Sequence, residues 1–225
     1  MRDIVVIGGG AGGLVVASVA AQLGLDVVLI NKEETMGGDC LHYGCVPSKA
    51  LLKSASVAHI ISHADRWGLL PVRTDVDMQA INRAVKKAIA TIQPHDSRER
   101  FESLGCEVIT GEASFVSPSE ITVAGKDVST KNLTAKTIRA KKIVVATGSY
   151  AWIPPVEGLD QVDYLTNEDM FSLPYLPHRL TIVGGGPVGV EMAQAYARLG
   201  SEVTIIELAA RLLPGGDEEL SDILA

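Results

Sequence analysis

The 225-residue sequence predicts an α/β fold built from two related units, each a strand, a glycine-rich loop, a helix and a second strand. Two observations carry this expectation. The first is an internal repeat. Asp3 to Asn31 (DIVVIGGGAGGLVVASVAAQLGLDVVLIN) aligns without gaps on Arg179 to Glu207 (RLTIVGGGPVGVEMAQAYARLGSEVTIIE), an offset of 176 residues (179 − 3), with ten of 29 positions identical. The second is the order inside each copy, where a short apolar run meets G-x-G-x-x-G at the turn into an Ala-rich helix.

Taken in order, Ile4 to Ile7 is a continuous apolar run, as expected of a strand buried on both faces. Gly8, Gly10 and Gly13 form the loop, the helix ends at Leu23-Gly24 with the glycine as its C-cap, and Val27 to Ile30 is a β-branched strand. GGDCLHYGCVPSK (Gly37 to Lys49) leads into a helix from Pro47 to about Ala64, with proline at the first helical position. Asp77 to about Leu104 reads as mostly helical with a break near Pro94. Strand signals follow at CEVITG, ASFV, EITVAG and TIRAKKIVVATG, then SYAWIPPVEG reads as a linker. The second copy repeats the scheme with Leu180 to Val183, Gly184, Gly186 and Gly189, a helix to Leu199-Gly200, and Val203 to Ile206. In DEELSDILA, Leu220, Ile223 and Leu224 begin an amphipathic helix.

Each copy is a Rossmann-like dinucleotide-binding unit. The first glycine permits the tight turn, the second lets backbone N–H groups approach a pyrophosphate, and the third lets helix and strand pack closely. The helix N-terminus presents its positive dipole end to the phosphates. One such motif is weak evidence, but two in the same strand–turn–helix context are strong. The residue ending the second strand reaches the ribose. Glu207 accepts from a 2′-OH and repels a 2′-phosphate, which favours NAD(H) over NADP(H). Arg211 argues the other way but reads better as a surface or capping residue. In the first copy the position is Asn31, an amide that hydrogen-bonds hydroxyls without charge.

Net charge is −7 and no basic run exceeds two residues, which argues against nucleic acid or an anionic membrane as partner. No apolar run approaches the ~18 residues of a membrane span, and glycines break the early apolar run where a secretory signal would continue. Three cysteines are too few for a stapled secreted scaffold, so the cytoplasm is the expected compartment.

Cys40 and Cys45 admit three readings. A zinc site needs four ligands, so Cys106 and a remote histidine would have to converge on the pair; no metal is expected. A static staple is uncommon in the cytosol. A redox pair fits better, because Cys45 precedes Pro47 at a helix start, where free N–H groups stabilise a thiolate. Lys49 adds a cation one turn on. Glu191 breaks an otherwise apolar and small helix face and needs a partner, for which Lys49 is the candidate; the alternative is that it favours the helix N-terminal dipole. Cys106 reads as core. His42 and Tyr43 lie between the cysteines, where tuning the thiols or touching substrate is one reading and facing the loop exterior the other. His59 and His63, at i and i+4, read as solvated helix residues, and the Pro94 to Ser97 run as a helix break rather than a catalytic triad.

These residues resemble the class I pyridine nucleotide–disulfide oxidoreductases, the mercuric reductase and dihydrolipoamide dehydrogenase branch in particular. The resemblance covers the whole chain through the first glycine loop, GGDCLHYGCVPSK, GEASF, VVATGS and VGGGPVGVEMA. It implies an FAD-binding domain over residues 1–150 carrying the C-x₄-C pair, and residues 151–225 as the first half of an NAD(P)-binding domain. FAD would contact Gly8, Gly10, Ala11, Gly12 and Gly13 in the loop, and Asn31 and Lys32 at the end of the second strand. Gly37, Gly38 and Asp39 would line its pyrophosphate, while Ala113 and the Thr147-Gly148-Ser149 turn would approach it. The nicotinamide cofactor would lie on Gly184, Gly186, Pro187, Val188, Gly189 and Glu207. Cys45 would face the flavin, Cys40 would exchange with substrate, and Lys49 would sit near the flavin and pair with Glu191. Electrons would pass from NADH to FAD, to the Cys40–Cys45 disulfide, and on to a small-molecule disulfide or thiol-bound metal. The whole protein would be a homodimer. Three departures stand out. Asn31 replaces the family's acid, and Asp39 stands where threonine is common. The chain is also shorter than family members, so the second unit is expected to be truncated and the C-terminal dimerisation domain with its acid/base pair absent. On that reading the chain is alternatively a non-catalytic FAD-binding fragment.

Overall fold

The computed structural model describes residues 1–126 and 133–224. The chain divides into two compact units, Met1–Cys45 with Ile89–Tyr164, and Val46–Ala88 with Leu165–Ala225.

The first unit holds a six-stranded sheet formed by β1 (Arg2–Ile7), β2 (Val27–Asn31), β3 (Glu107–Thr110), β4 (Glu112–Ser117), β5 (Glu120–Lys126) and β6 (Leu133–Val145). Its order is β3-β2-β1-β6-β5-β4. The first four of these strands are parallel, whereas β6-β5-β4 is antiparallel. The length of β6 explains the mixture. Its C-terminal part runs parallel to β1 from Ala140 to Val145, and its N-terminal part pairs antiparallel with β5.

Side chains of β1 and β2 alternate between two cores, following the two-residue period of a strand. Val6, Val27 and Leu29 pack with Leu14, Ala17 and Ala20 of α1 (Ala11–Gln22) and with Phe101 of α5 (Arg98–Ser103). Val5, Ile7, Val28 and Ile30 pack on the other face with Ile121, Val123, Ile138 and Ala140. Burial on both faces is why the two strands read as unbroken apolar runs.

The second unit carries β7 (Arg179–Val183), α6 (Pro187–Leu199) and β8 (Glu202–Ile206), with α7 (Glu218–Leu224). Most of α3 (Cys45–Ser62) and of α4 (Met78–Ile92) belongs to it. Tyr196 is fully buried in α6, and its hydroxyl donates to Met170 O at 2.6 Å. Asn82 Nδ2 donates to Leu173 O at 2.6 Å, tying α4 to the segment before β7.

Four local expectations are corrected. Helix α3 begins at Cys45, not Pro47; the first turn has no intrahelical acceptors for its N–H groups, so proline is tolerated inside it. A short helix, α2 (Gly38–His42), occupies what reads as loop. In α1 the C-cap is Leu23, and Gly24 lies one position beyond it in the left-handed region, whereas Gly200 is itself the C-cap of α6. In α7 the apolar residues Leu220 and Ile223 are exposed and Ser221 is buried. Asp217 sets that orientation by accepting from Leu220 N through its side chain and from Ser221 N and Oγ through its carbonyl.

Candidate functional site

The two copies of the repeat superpose in hydrogen-bond detail. β1 pairs with β2 as Ile4↔Val27 through Ile7↔Ile30, and β7 with β8 as Leu180↔Val203 through Val183↔Ile206, the same register. Gly8 N donates to Ile30 O and Gly184 N to Ile206 O, both at 2.8 Å. A Cβ on Gly13 would lie 1.8 Å from Gly8 O, and one on Gly189 would lie 2.0 Å from Gly184 O, so both third glycines are demanded by helix–strand contact. Gly10 and Gly186 cap α1 and α6 with extended backbone and no side-chain cap, which leaves the first-turn N–H groups open to an anion. Ala11 and Gly12 are exposed at the first of these ends, Pro187 starts α6, and Val188 is exposed beside it. Both ends fit a dinucleotide pyrophosphate.

The cysteine segment is built onto the first loop. Gly37 N donates to Gly9 O at 2.8 Å, Gly37 bridges Gly10, and a Cβ on Gly38 would meet Gly10 Cα at 2.6 Å. Both glycines have positive φ, 115° and 59°, which side-chain-bearing residues rarely adopt. From here α2 carries Asp39, exposed in its first turn, and Cys40. Gly44 lets the chain return closely, since a Cβ there would stand 3.0 Å from Asp39 O and 3.3 Å from Cys40 Cα.

Cys40 and Cys45 are not joined in a disulfide. The hydrogen bond between Cys40 and Cys45 pushes the Cys40 pKa up, with partial burial adding to the effect. Cys45 is the more exposed of the two and opens α3. Four residues further along α3, Lys49 Nζ donates to both carboxylate oxygens of Glu191 on α6, each at 2.7 Å. The two side chains are 60% and 41% exposed, so the bond is a placement device more than a source of stability.

The remaining expected residues fall as follows. Ala146 N donates to Ile7 O, and a Cβ on Gly8 would meet Ala146 O at 2.1 Å, so the exposed Thr147-Gly148-Ser149 turn adjoins the glycine loop. Ala113 in β4 turns its side chain to the second core. Lys32 is exposed, with its ammonium 4.0 Å from Glu112. Asn31 and Glu207 both accept from the loop, through Gly9 N at 2.9 Å and Gly185 N at 2.6 Å. Backbone donors at Ala209, Gly185 and Leu208 hold the Glu207 carboxyl below the usual carboxylate range. Arg211 Nη2 donates to Gly216 O at 3.2 Å, within its own loop, while its Nη1 is buried and has no hydrogen-bond partner among the described residues.

Some features escaped the sequence. Met36 O accepts from His42 Nε2 at 3.1 Å and from Gln93 Nε2 at 3.0 Å, fastening the cysteine segment to the turn after α4. A carbonyl only accepts, so this His42 nitrogen carries the proton. Leu213 has φ 48° and donates its N–H to Gly185 O, folding the chain after β8 over the second loop. His59 and His63 are half-buried rather than solvated, with ring centroids 4.2 Å apart, and His63 Nδ1 lies 2.9 Å from His59 O. Burial, then His63, Arg198 and Arg66, lower the His59 pKa. Cys106 is buried, its thiol directed at Ala17 O. Among the described residues no group of three or more His, Cys, Asp or Glu side chains is placed to hold a metal ion, and no helix is long and apolar enough to cross a membrane.

A profile of the pyridine nucleotide-disulphide oxidoreductases matches residues 2–225. The chain belongs to this family. Mercuric reductase of Bacillus cereus is 33% identical over 222 residues, covering 99% of this chain and 33% of that protein. Dihydrolipoyl dehydrogenase 2, mitochondrial, of Arabidopsis thaliana is 36% identical over 223 residues, covering 97% and 42%. Among solved structures, a Cu(II) complex of a mutant of the HOCl-induced flavoprotein disulfide reductase RclA from Escherichia coli aligns with TM-score 0.79 and 27% identity, over 99% of this chain and 46% of that one. The chain therefore spans 33% to 42% of the length of these two curated relatives. Family members are FAD-dependent and use NAD(P)H, as the resemblance implied. The parallel-dominated α/β architecture matches the expected fold class.

Proposed function

We propose that the chain is the dinucleotide-binding part of a cytoplasmic, homodimeric FAD-dependent oxidoreductase that reduces a small-molecule disulfide or a thiol-bound metal ion with NADH. The observation that carries this reading is the Cys40–Cys45 thiol pair, mounted by Gly37 and Gly38 directly on the first glycine loop. With a disulfide the net reaction takes one hydride equivalent and a proton, splits one S–S bond, and leaves two thiols and NAD⁺. With a divalent metal ion held by two thiolates the same two electrons reduce the metal, and the proton and the hydride's own proton leave on two thiols. FAD, when bound, supplies the two-electron relay between nicotinamide and the cysteine pair.

The chain's own residues have definite parts in it. The open N–H groups of α1, from Ala11 to Gly13, would hold the FAD pyrophosphate with Gly37 and Gly38 opposite. Those of α6 would hold the nicotinamide dinucleotide, and Glu207 would accept from its ribose while repelling a 2′-phosphate. Cys40, whose thiol keeps its proton to higher pH, would exchange with substrate, and Cys45 at the start of α3 would face the flavin. Lys49, anchored by Glu191, would supply the nearby cation. The alternative, an FAD-binding fragment without turnover, draws on the share of the relatives that the chain spans.

An anaerobic dithionite titration of the FAD-loaded chain tests the proposal. The wild type should take up twice the electrons of a Cys45→Ser variant, because its disulfide accepts a second pair. Equal uptake in the two proteins would remove the cysteines from the electron path. Reduction by NADH with turnover of a disulfide such as lipoamide decides between enzyme and fragment.

A further inference from the structure

The two copies of the repeat part company where their second strands end, and the difference is one of hydrogen-bond capacity. Glu207 accepts from Gly185 N through Oε2 at 2.6 Å and from Ala209 N through Oε1 at 2.8 Å. The Leu208 N–H bears on the same carboxylate, so of about four lone-pair sites one charged acceptor stays open to an outside donor such as a ribose hydroxyl. Asn31 is committed differently. Its Oδ1 accepts from Gly9 N at 2.9 Å, and its Nδ2 donates to Glu33 O at 2.8 Å and Thr35 O at 3.2 Å. Both amide protons are spent, and a single neutral lone pair remains.

The same bonds say what Asn31 does. Only a side chain that donates and accepts can bridge Gly9 N to two carbonyls of the next turn, and a carboxylate cannot. That turn ends at Met36, which is buried against the loop, and passes directly into Gly37 and Gly38 on Gly9 and Gly10. We infer that Asn31 latches the turn of residues 32–36 instead of gripping ribose, so the first site holds its adenine dinucleotide through the pyrophosphate loop and tolerates change at the adenosine ribose. The second site, with Glu207, discriminates there. The inference rests on the FAD reading for the identity of the first dinucleotide.

Flavin fluorescence on the apo chain gives the test, with FAD and 2′-deoxyadenosine-FAD as probes. The wild type should bind the deoxy compound less than about tenfold more weakly, the effect of one neutral hydrogen bond. Glu33→Gln and Glu34→Gln should each leave FAD affinity within about twofold, since neither carboxylate is needed for the ribose. Asn31→Asp should enlarge the deoxy penalty while speeding amide exchange at residues 32–36. A hundredfold penalty in the wild type, a tenfold loss in either glutamine variant, or unchanged exchange in Asn31→Asp would overturn the inference while FAD binding stands. No flavin binding at all would sink it together with the cofactor reading.

Discussion

At the scale of single residues, the chemistry turns on how unlike Cys40 and Cys45 have become. They are five positions apart, but Cys40 sits half-buried on α2 and Cys45 is exposed at the head of α3. Their hydrogen bond favours the protonated form of Cys40, and burial works in the same direction. The reduced chain should therefore alkylate at Cys40 only as pH rises above the ordinary cysteine range, whereas the Cys45→Ala variant, lacking the leading cause of the shift, should alkylate at Cys40 at lower pH. Mass spectrometry of iodoacetamide-labelled peptides across pH 7–10 reads this directly, and coincident Cys40 profiles in the two proteins would refute the coupling. Much of this was legible in advance: the spacing of the pair, its place before a helix and Lys49 beyond it are all sequence features. The asymmetry was not, because it comes from α2, a helix whose position depends on Gly37 and Gly38 meeting Gly10 from 27 residues along the chain (37 − 10). The bonds of Asn31 were hidden for a related reason. Its type suggests hydrogen bonding to hydroxyls, while within the chain it accepts from Gly9 N and donates to carbonyls of a turn that no pattern announces.

At the scale of elements, the repeat turns a sequence alignment into a stability experiment. Gly12 and Gly13 are adjacent, yet only one is required. A Cβ on Gly13 would penetrate to 1.8 Å from Gly8 O, a backbone atom fixed by β1, while one on Gly12 would meet nothing within 4 Å. The second copy agrees, with Val188 at the position equivalent to Gly12 and glycine retained at 189. Gly13→Ala and Gly189→Ala should each cost at least about 3 kcal/mol through overpacking, or prevent folding. Gly12→Ala should gain about 0.5–1 kcal/mol from helix propensity. Urea unfolding monitored by circular dichroism separates the cases, and a tolerated Gly13→Ala would mean that α1 is free to move off β1. These elements were the most legible part of the chain, since apolar runs, glycines and helix length are local signals. Helix starts were less so: Cys45 entered α3 because a first turn accepts proline at more than one position.

At the scale of the whole molecule, identical local designs have met different surroundings. β1 and β2 lie inside a six-stranded sheet, with Val5, Val6, Val28 and Leu29 at 0% exposure. β7 and β8 form a two-stranded sheet among the described residues, and Val183 and Ile206 are 55% and 54% exposed. The local sequence of each copy does not carry this difference, because burial of β1–β2 comes from β3 and β6, strands contributed by distant stretches of chain. Register and hydrogen-bond pairing within each two-strand set are the same, so any difference in protection between them isolates the effect of the neighbours. Opening free energies are lowest where few apolar contacts cover the backbone. Amides of Leu180–Val183 and Val203–Ile206 should thus exchange at least about tenfold faster than those of Ile4–Ile7 and Val27–Ile30. A ligand that binds only the closed form adds protection by mass action, so saturating NADH should slow the β7–β8 set and leave the β1–β2 set unchanged. Equal exchange without ligand would show that one strand pair with its helix suffices for full protection. Slowing of β1–β2 instead would reassign the nicotinamide dinucleotide to the first loop, against the choice of Glu207 as its ribose acceptor.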